Sequence, residues 1–186
     1  MLFPGGRLPL RVFEQRYMEM AKTCLRDGTA FGVCLIREGP EVMQPGGSPV
    51  LTADVGCLAR IGAWDMPQLG VLQVVAHGGE RFRIGRRSLQ PDGLARADVE
   101  VLAEKDGPVA DALANCVQLL ERLVEAQPDF FEQPYRYDSS AWVSARLADV
   151  LPLPLEAKQA LLEIDAAPER LAQIDRLLRA NFSEAS

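Results

Sequence analysis

Apolar and polar positions alternate first with a period of two. Leu8, Leu10 and Val12 alternate with Pro9 and Arg11, so residues 8–12 have one apolar side and read as a short strand. Pro9, lacking an N–H, assigns that strand to an edge or to a strand start. Ahead of it, Pro4-Gly5-Gly6 marks a chain reversal, because glycine accepts positive φ and proline fixes φ. Phe3 and Leu8 are therefore expected to be buried, with Arg7 exposed on the turn between them. After Phe13 the period lengthens: Val12, Tyr17, Met20, Ala21, Cys24 and Leu25 fall along one helical face, and Gly28 is the stop signal.

From here to residue 104 the pattern predicts strands. FGVCLIR at 31–37 is a short run of β-formers, followed by a glycine- and proline-rich loop at 38–49. LTADVGCLARIGAW at 51–64 alternates around Gly56, and WDMPQ reads as a turn into GVLQVVAHG at 70–78. Gly78-Gly79 separates that strand from ERFRIGRR, and LARADVEVLAE at 94–104 alternates again. The second half changes to helical spacing. Leu113, Cys116, Val117, Leu120, Leu123 and Val124 form one stripe, which Pro128 ends. Asp138-Ser139-Ser140 supplies the cap of a helix through Trp142, Ala145 and Ala148. Pro152 and Pro154 impose an extended link into a helix over 155–164, and Pro168 opens a last one with Leu171, Ile174, Leu177 and Leu178 buried. The fold class is α+β: residues 1–104 form a small antiparallel sheet or partly open barrel with one helix, and residues 105–186 form an all-helical domain.

Charge sharpens that division. Residues 1–103 hold 12 Lys and Arg against 11 Asp and Glu, and residues 104–186 hold 8 against 15, so the acidity of a chain of net charge −6 lies in the second half. A boundary at Lys105-Asp106-Gly107-Pro108 agrees, since this string ends one element and can open a helix. At 186 residues and 48% hydrophobic, the chain is long enough to bury a real core. No apolar run reaches the roughly 20 residues of a membrane helix, and the start carries no basic segment followed by an apolar core and a cleavage site. Cys24, Cys34, Cys57 and Cys116 are widely spaced inside apolar stretches, as reduced core thiols are, and His77 is the sole histidine. No cofactor or metal site is expected from such spacing.

Several strings together carry a resemblance. LFPGGRLPLRVFEQRY, VGCLARI at 55–61, GGERFRI at 78–84 and LPLPLEAKQALLEID at 151–165 are similar, in order, to the Lon substrate-binding domain family. This is the amino-terminal domain of the Lon protease, which also occurs as a stand-alone bacterial protein. Members usually carry a short apolar strand ahead of the FPGG turn, and this chain begins two residues before it. The resemblance implies a PUA-like β-domain and recognition of polypeptide, as an adaptor, competitor or chaperone-like binder of unfolded segments in the cytoplasm, with the Lon protease a further candidate partner.

Catalysis is not expected. EKDGPVADA at 104–112 is similar to the catalytic serine motif of the Lon protease, but Val109 occupies the nucleophile's position and has no oxygen to acylate. No GxxxxGK[ST] phosphate loop and no GxSxG serine occurs. His77 beside Gly78-Gly79 suggests a base near an oxyanion donor only if a nucleophile accompanies it, and none does. The alternative to polypeptide binding is RNA binding through Arg81, Arg83 and Arg87 on the strand RFRIGRR, with Phe82 and Ile84 on the other side. One short basic strand in an acidic protein is a small electrostatic footprint, and pairing with acidic neighbours is the plainer role for these arginines. A surface for unfolded chains needs exposed apolar groups with a polar rim. The candidates are Met43 in the long loop, Trp64 and Met66 in WDMPQ, and Phe130, Phe131 and Tyr135 in DFFEQPYRY, where Phe130 and Phe131 also suit a stitch between the two halves.

Overall fold

The computed structural model describes residues 1–39 and 50–183. Strand β1 (Arg7–Val12) leads into helix α1 (Gln15–Asp27), and the short strands β2 (Phe31–Val33) and β3 (Ile36–Glu38) follow. The pair β4 (Leu51–Thr52) and β5 (Val55–Gln68) comes next, then β6 (Val71–Leu89) and β7 (Ala95–Leu102). The helices are α2 (Ala114–Ala126), α3 (Ser140–Val150), α4 (Leu155–Glu163) and α5 (Ala167–Ser183). The main sheet runs β1-β6-β5-β2 with β7 also on β6, all antiparallel, while β3 and β4 make a separate ribbon. Among the described residues the sheet does not close into a barrel; the α+β class stands, in its open-sheet form.

Four boundaries differ from the sequence reading. The run 31–37 is broken into β2 and β3, and 51–64 into β4 and β5. Gly78-Gly79 does not divide two strands, for β6 passes straight through it as one 19-residue strand. WDMPQ is not a turn: β5 continues to Gln68, and the reversal is the pair Leu69-Gly70, with Gly70 at φ 83°. Pro67 is tolerated because the edge of a sheet does not call on its N–H.

α1 ends at Gly28 in the left-handed region, φ 64°, its N–H donating to the Cys24 carbonyl. It covers one face of the sheet through Met18 and Ala21, which pack on Leu72 and Val74, with Leu10, Val12 and Ile61 around them. The buried stripe contains Arg16 and Met18, whereas Tyr17, Met20 and Leu25 are half-buried. Arg16 is accommodated because its guanidinium donates to Glu14 Oε2 at 2.8 Å and to the Gly93 carbonyl at 2.8 Å.

The helices enclose the largest core. Cys116, Leu120 and Val124 of α2 meet Val143 and Leu147 of α3, Leu161 and Leu162 of α4, and Leu171 and Ile174 of α5. Ser139 caps α3, its hydroxyl accepting from the Trp142 N–H at 3.1 Å. Phe3 and Val55, from the sheet side, belong to this same cluster. Burying a ring such as Phe3 contributes about 1.5–3 kcal/mol.

A charged joint completes the contact. Arg81 of β6 and Arg170 of α5 are both buried and share Glu104, at 3.2 Å to Oε2 and 2.5 Å to Oε1. Arg81 also donates to the carbonyls of Leu162 at 2.8 Å and Ile164 at 3.0 Å, and Arg170 Nε donates to Ser144 Oγ at 2.9 Å. Each guanidinium's donors therefore have acceptors, the condition for burying such a charge. Beside it, Asp106 accepts from Ser139 Oγ at 2.7 Å and from the Ala141 N–H at 2.8 Å, which ties the 105–108 string to the start of α3.

Candidate functional site

The opening turn is gripped from two sides. Gly5, at φ 70°, donates to the Gly78 carbonyl at 2.7 Å, and the Gly78 N–H returns to the Gly6 carbonyl at 2.9 Å. A Cβ at position 78 would collide with the Phe3 carbonyl oxygen, so the glycine there is a requirement of close backbone approach. From the other side Arg146 of α3 donates to the Pro4 carbonyl at 2.7 Å and to the Gly5 carbonyl, and pairs with Asp149 at 2.7 Å. Burial pushes the Asp149 carboxyl up to about 6, against the opposing pull of Arg146 and Lys158. Phe3 is fully buried and Leu8 half-buried, while Arg7 is exposed and donates to the Asp129 carbonyl at 2.7 Å.

The other end of the sheet carries its apolar groups in the open. In the register Leu10, Val74 and Trp64 form one row across β1, β6 and β5 on the face that α1 covers. Val74 is buried, yet Trp64 is 59% exposed. Met66 stands two residues further, and Leu69, at the hairpin turn, is 94% exposed. Phe13, between β1 and α1, is exposed too. On the opposite face the rows Pro9–Val75–Ala63 and Arg11–Gln73–Asp65 border a shallow groove of about 500 Å³, which Trp64 also lines. The arrangement is an apolar patch with an ionic margin, suited to accept apolar side chains without a fixed shape.

Of the six residues singled out in the sequence, Trp64 and Met66 share β5, two positions apart, in this exposed region. Met43 lies outside the described residues. Phe130 is 65% exposed and adjoins Asp129, whose carbonyl accepts from Arg7 on the groove face. Phe131 is 7% exposed and belongs to the helical core, so its ring packs the helices instead of facing solvent. Tyr135 is half-buried in a cluster with Tyr137 and Trp142, ring centroids 6.0 Å away from each. Leu69 and Phe13 went unnoticed in the sequence; a leucine directly before a turn glycine was the available signal for the first.

Arg81, Arg83 and Arg87 do not form a free basic face. Arg81 is consumed by the Glu104 joint, and Arg87 pairs with Asp54 at 2.7 Å, while Arg83 remains at the surface opposite Glu100. Val109 packs against the helical core, and its N–H donates to the Asp138 carbonyl at 3.2 Å. His77 Nδ1 lies 3.1 Å from Glu132 Oε1, with the ring over Gly62. The cysteines are free thiols, and burial pushes Cys34 and Cys116 up to about 11 and Cys57 up to about 12, far from a nucleophilic thiolate at neutral pH. Among the described residues there is no group of three His, Cys, Asp or Glu placed to hold a metal, and no helix long and apolar enough to cross a membrane.

Comparison with known proteins agrees with this geometry. The crystal structure of a Lon N-terminal domain protein from Xanthomonas campestris superposes with a TM-score of 0.74 at 31% identity, covering 94% of this chain and 90% of that one. The N-terminal domain of Mycobacterium avium complex Lon protease, at 16% identity and a TM-score of 0.61, shares the fold. Among curated sequences, Lon protease 2 of Myxococcus xanthus is 30% identical and Lon protease of Anaeromyxobacter dehalogenans 28% identical, each over 95% of this chain. Zebrafish cereblon is 30% identical over 68% of it. The chain spans about a fifth of the length of the two bacterial proteases, 22% and 21% respectively. The model of the ATP-dependent protease La (LON) substrate-binding domain matches residues 1–180, and the chain belongs to that family.

Proposed function

We propose that this chain binds non-native polypeptide in the cytoplasm through the open hairpin end of its sheet, as a module without catalysis of its own. The observation that carries the reading is the exposure of Trp64, Met66, Leu69 and Phe13 together at the hairpin end of β5 and β6. Large apolar groups left in water lose free energy that a partner with exposed apolar groups restores. Phe130, next to the Asp129 carbonyl that Arg7 holds, is a second exposed aromatic for such a partner. Family membership supports the substrate class, and the curated relatives named as proteases support a role in supplying clients to, or withholding them from, such an enzyme. We further propose that residues 1–104 and 105–186 are its two halves, held as one cooperative unit by the shared core.

The test is a Trp64→Ala, Met66→Ala double variant, assayed by anisotropy with a labelled, reduced and unfolded client. Loss of one hot-spot aromatic costs about 2 kcal/mol of binding, so affinity is expected to fall roughly thirtyfold with the melting temperature little changed. Unchanged affinity removes this surface from the proposal, and a large drop in melting temperature reassigns both residues to packing.

A further inference from the structure

β5 is flanked unevenly. β6 pairs along one side of it, while on the other β2 pairs with Cys57–Ala59 only. Among the described residues nothing pairs with that second side from Arg60 to Gln68. In an antiparallel ribbon, alternate residues turn their N–H and C=O away from the paired neighbour, so this edge offers backbone donors and acceptors to an added strand, except the Met66 N–H, which donates to Asp65 Oδ1 at 2.8 Å. The line of β2 stops because the chain turns away at Gly28, a corner fixed by Arg60 Nη1 donating to the Gly28 carbonyl at 2.7 Å. Pro67, with no N–H to offer, closes the far end. The slot beside residues 61–66 is about 20 Å long.

Two other edges carry guards. β7 interleaves Arg96, Asp98 and Glu100 with its exposed Val99 and Val101, and β1 has Pro9 in its middle, both devices that discourage an added strand. The β5 slot presents Ile61, Ala63, Trp64 and Met66 with Asp65 as its one charge. Bulges between Ile61 and Ala63 and between Asp65 and Gln68 offset the ladder. Two copies of this rigid edge do not align over the whole slot, whereas a flexible segment follows the offset.

We infer that the 61–66 edge of β5 takes one added strand, an extended segment of a non-native polypeptide. The slot reads the client's backbone, while Trp64 and Met66 cover its alternate apolar side chains. This rests on the polypeptide-binding reading and specifies its mode. A folded protein has its backbone already paired and is refused, whereas an unfolded segment of almost any apolar-alternating sequence without proline is accepted.

The test uses a fluorescein-labelled, end-blocked octapeptide of alternating valine and threonine, with two further versions N-methylated either at every valine or at every threonine. Reduced, carboxymethylated lactalbumin serves as the general client. The expected result is that the client and the parent peptide bind. One methylated version loses at least tenfold in affinity and the other less than twofold, because only one alternate set of amides faces the slot. Amide exchange at residues 61–66 slows on binding while that at 95–102 is unchanged. If the client binds but the methylated versions behave alike, the strand-addition mode is overturned and polypeptide binding survives. If neither client nor peptide binds, both fall. Concentration-dependent dimerisation that protects the 61–66 amides assigns the slot to a second copy and overturns the inference.

Discussion

The β5–β6 ribbon has two ends built on opposite terms. At one end, Gly78 lies against the FPGG turn, Arg81 is sealed under α4 and α5, and Val55 joins the helical core. At the other, the same two strands carry Trp64, Met66 and Leu69 into water, and among the described residues one side of β5 has no neighbouring strand there. The contrast shows how one hairpin serves as both anchor and probe. Rigidity is concentrated where the helices hold it, and the bare end is thereby kept open without collapsing onto its own core.

That contrast can be broken from the anchored side first. Arg81→Ala leaves Glu104 to Arg170 alone and removes the buried donor to the Leu162 and Ile164 carbonyls, so urea unfolding is expected to show a loss of about 3–5 kcal/mol. Gly78→Ala forces a Cβ onto the Phe3 carbonyl and is expected to cost about 1–3 kcal/mol, with Gly79→Ala, which meets nothing closer than 3.5 Å, much milder.

A smaller effect concerns pH. The Asp149 carboxyl titrates at about 6 in the folded chain against its ordinary 3.8, so the native state binds the extra proton between those values. Its contribution to stability is present below about pH 4 and is lost as pH rises through about 6. Wild type measured against Asp149→Asn should therefore lose relative stability over this window, by at most about 3 kcal/mol. A difference that stays flat with pH would show that the group titrates normally. The least stability change is expected at the bare end, where Leu69→Ser should alter unfolding by no more than about 0.5 kcal/mol. A larger loss there would mean that the bare end is itself core.

The strands, the helices and the apolar stripes were legible because periodicity reports burial directly, as Leu171 and Ile174 or Cys116 and Leu120 show. What escaped was decided by tertiary contact. Gly78-Gly79 has the signature of a break, but its cause is the close approach of Phe3, and the strand runs on. Pro67 looks like a turn residue because sequence alone does not show that, among the described residues, β5 has no partner on one side there. Arg81 reads as a surface cation, since burial of an arginine depends on a carboxylate 23 residues away and on carbonyls from α4 that no local pattern reveals. Trp64 and Phe131 look alike as candidate contacts, and only packing separates the exposed ring from the buried one.

The grip on the opening turn has a consequence during synthesis. Arg146 reaches back to Gly5 over 141 residues and to Pro4 over 142, and Phe3 packs among helices made after it. A ribosome adding about 5–20 residues per second leaves that turn unclamped for roughly ten seconds or more while its clamp is still being translated. Residues 3–5 thus emerge long before the helix that secures them, and a nascent chain halted before α3 carries Phe3 as bait for the same kind of binder that the finished protein is proposed to be.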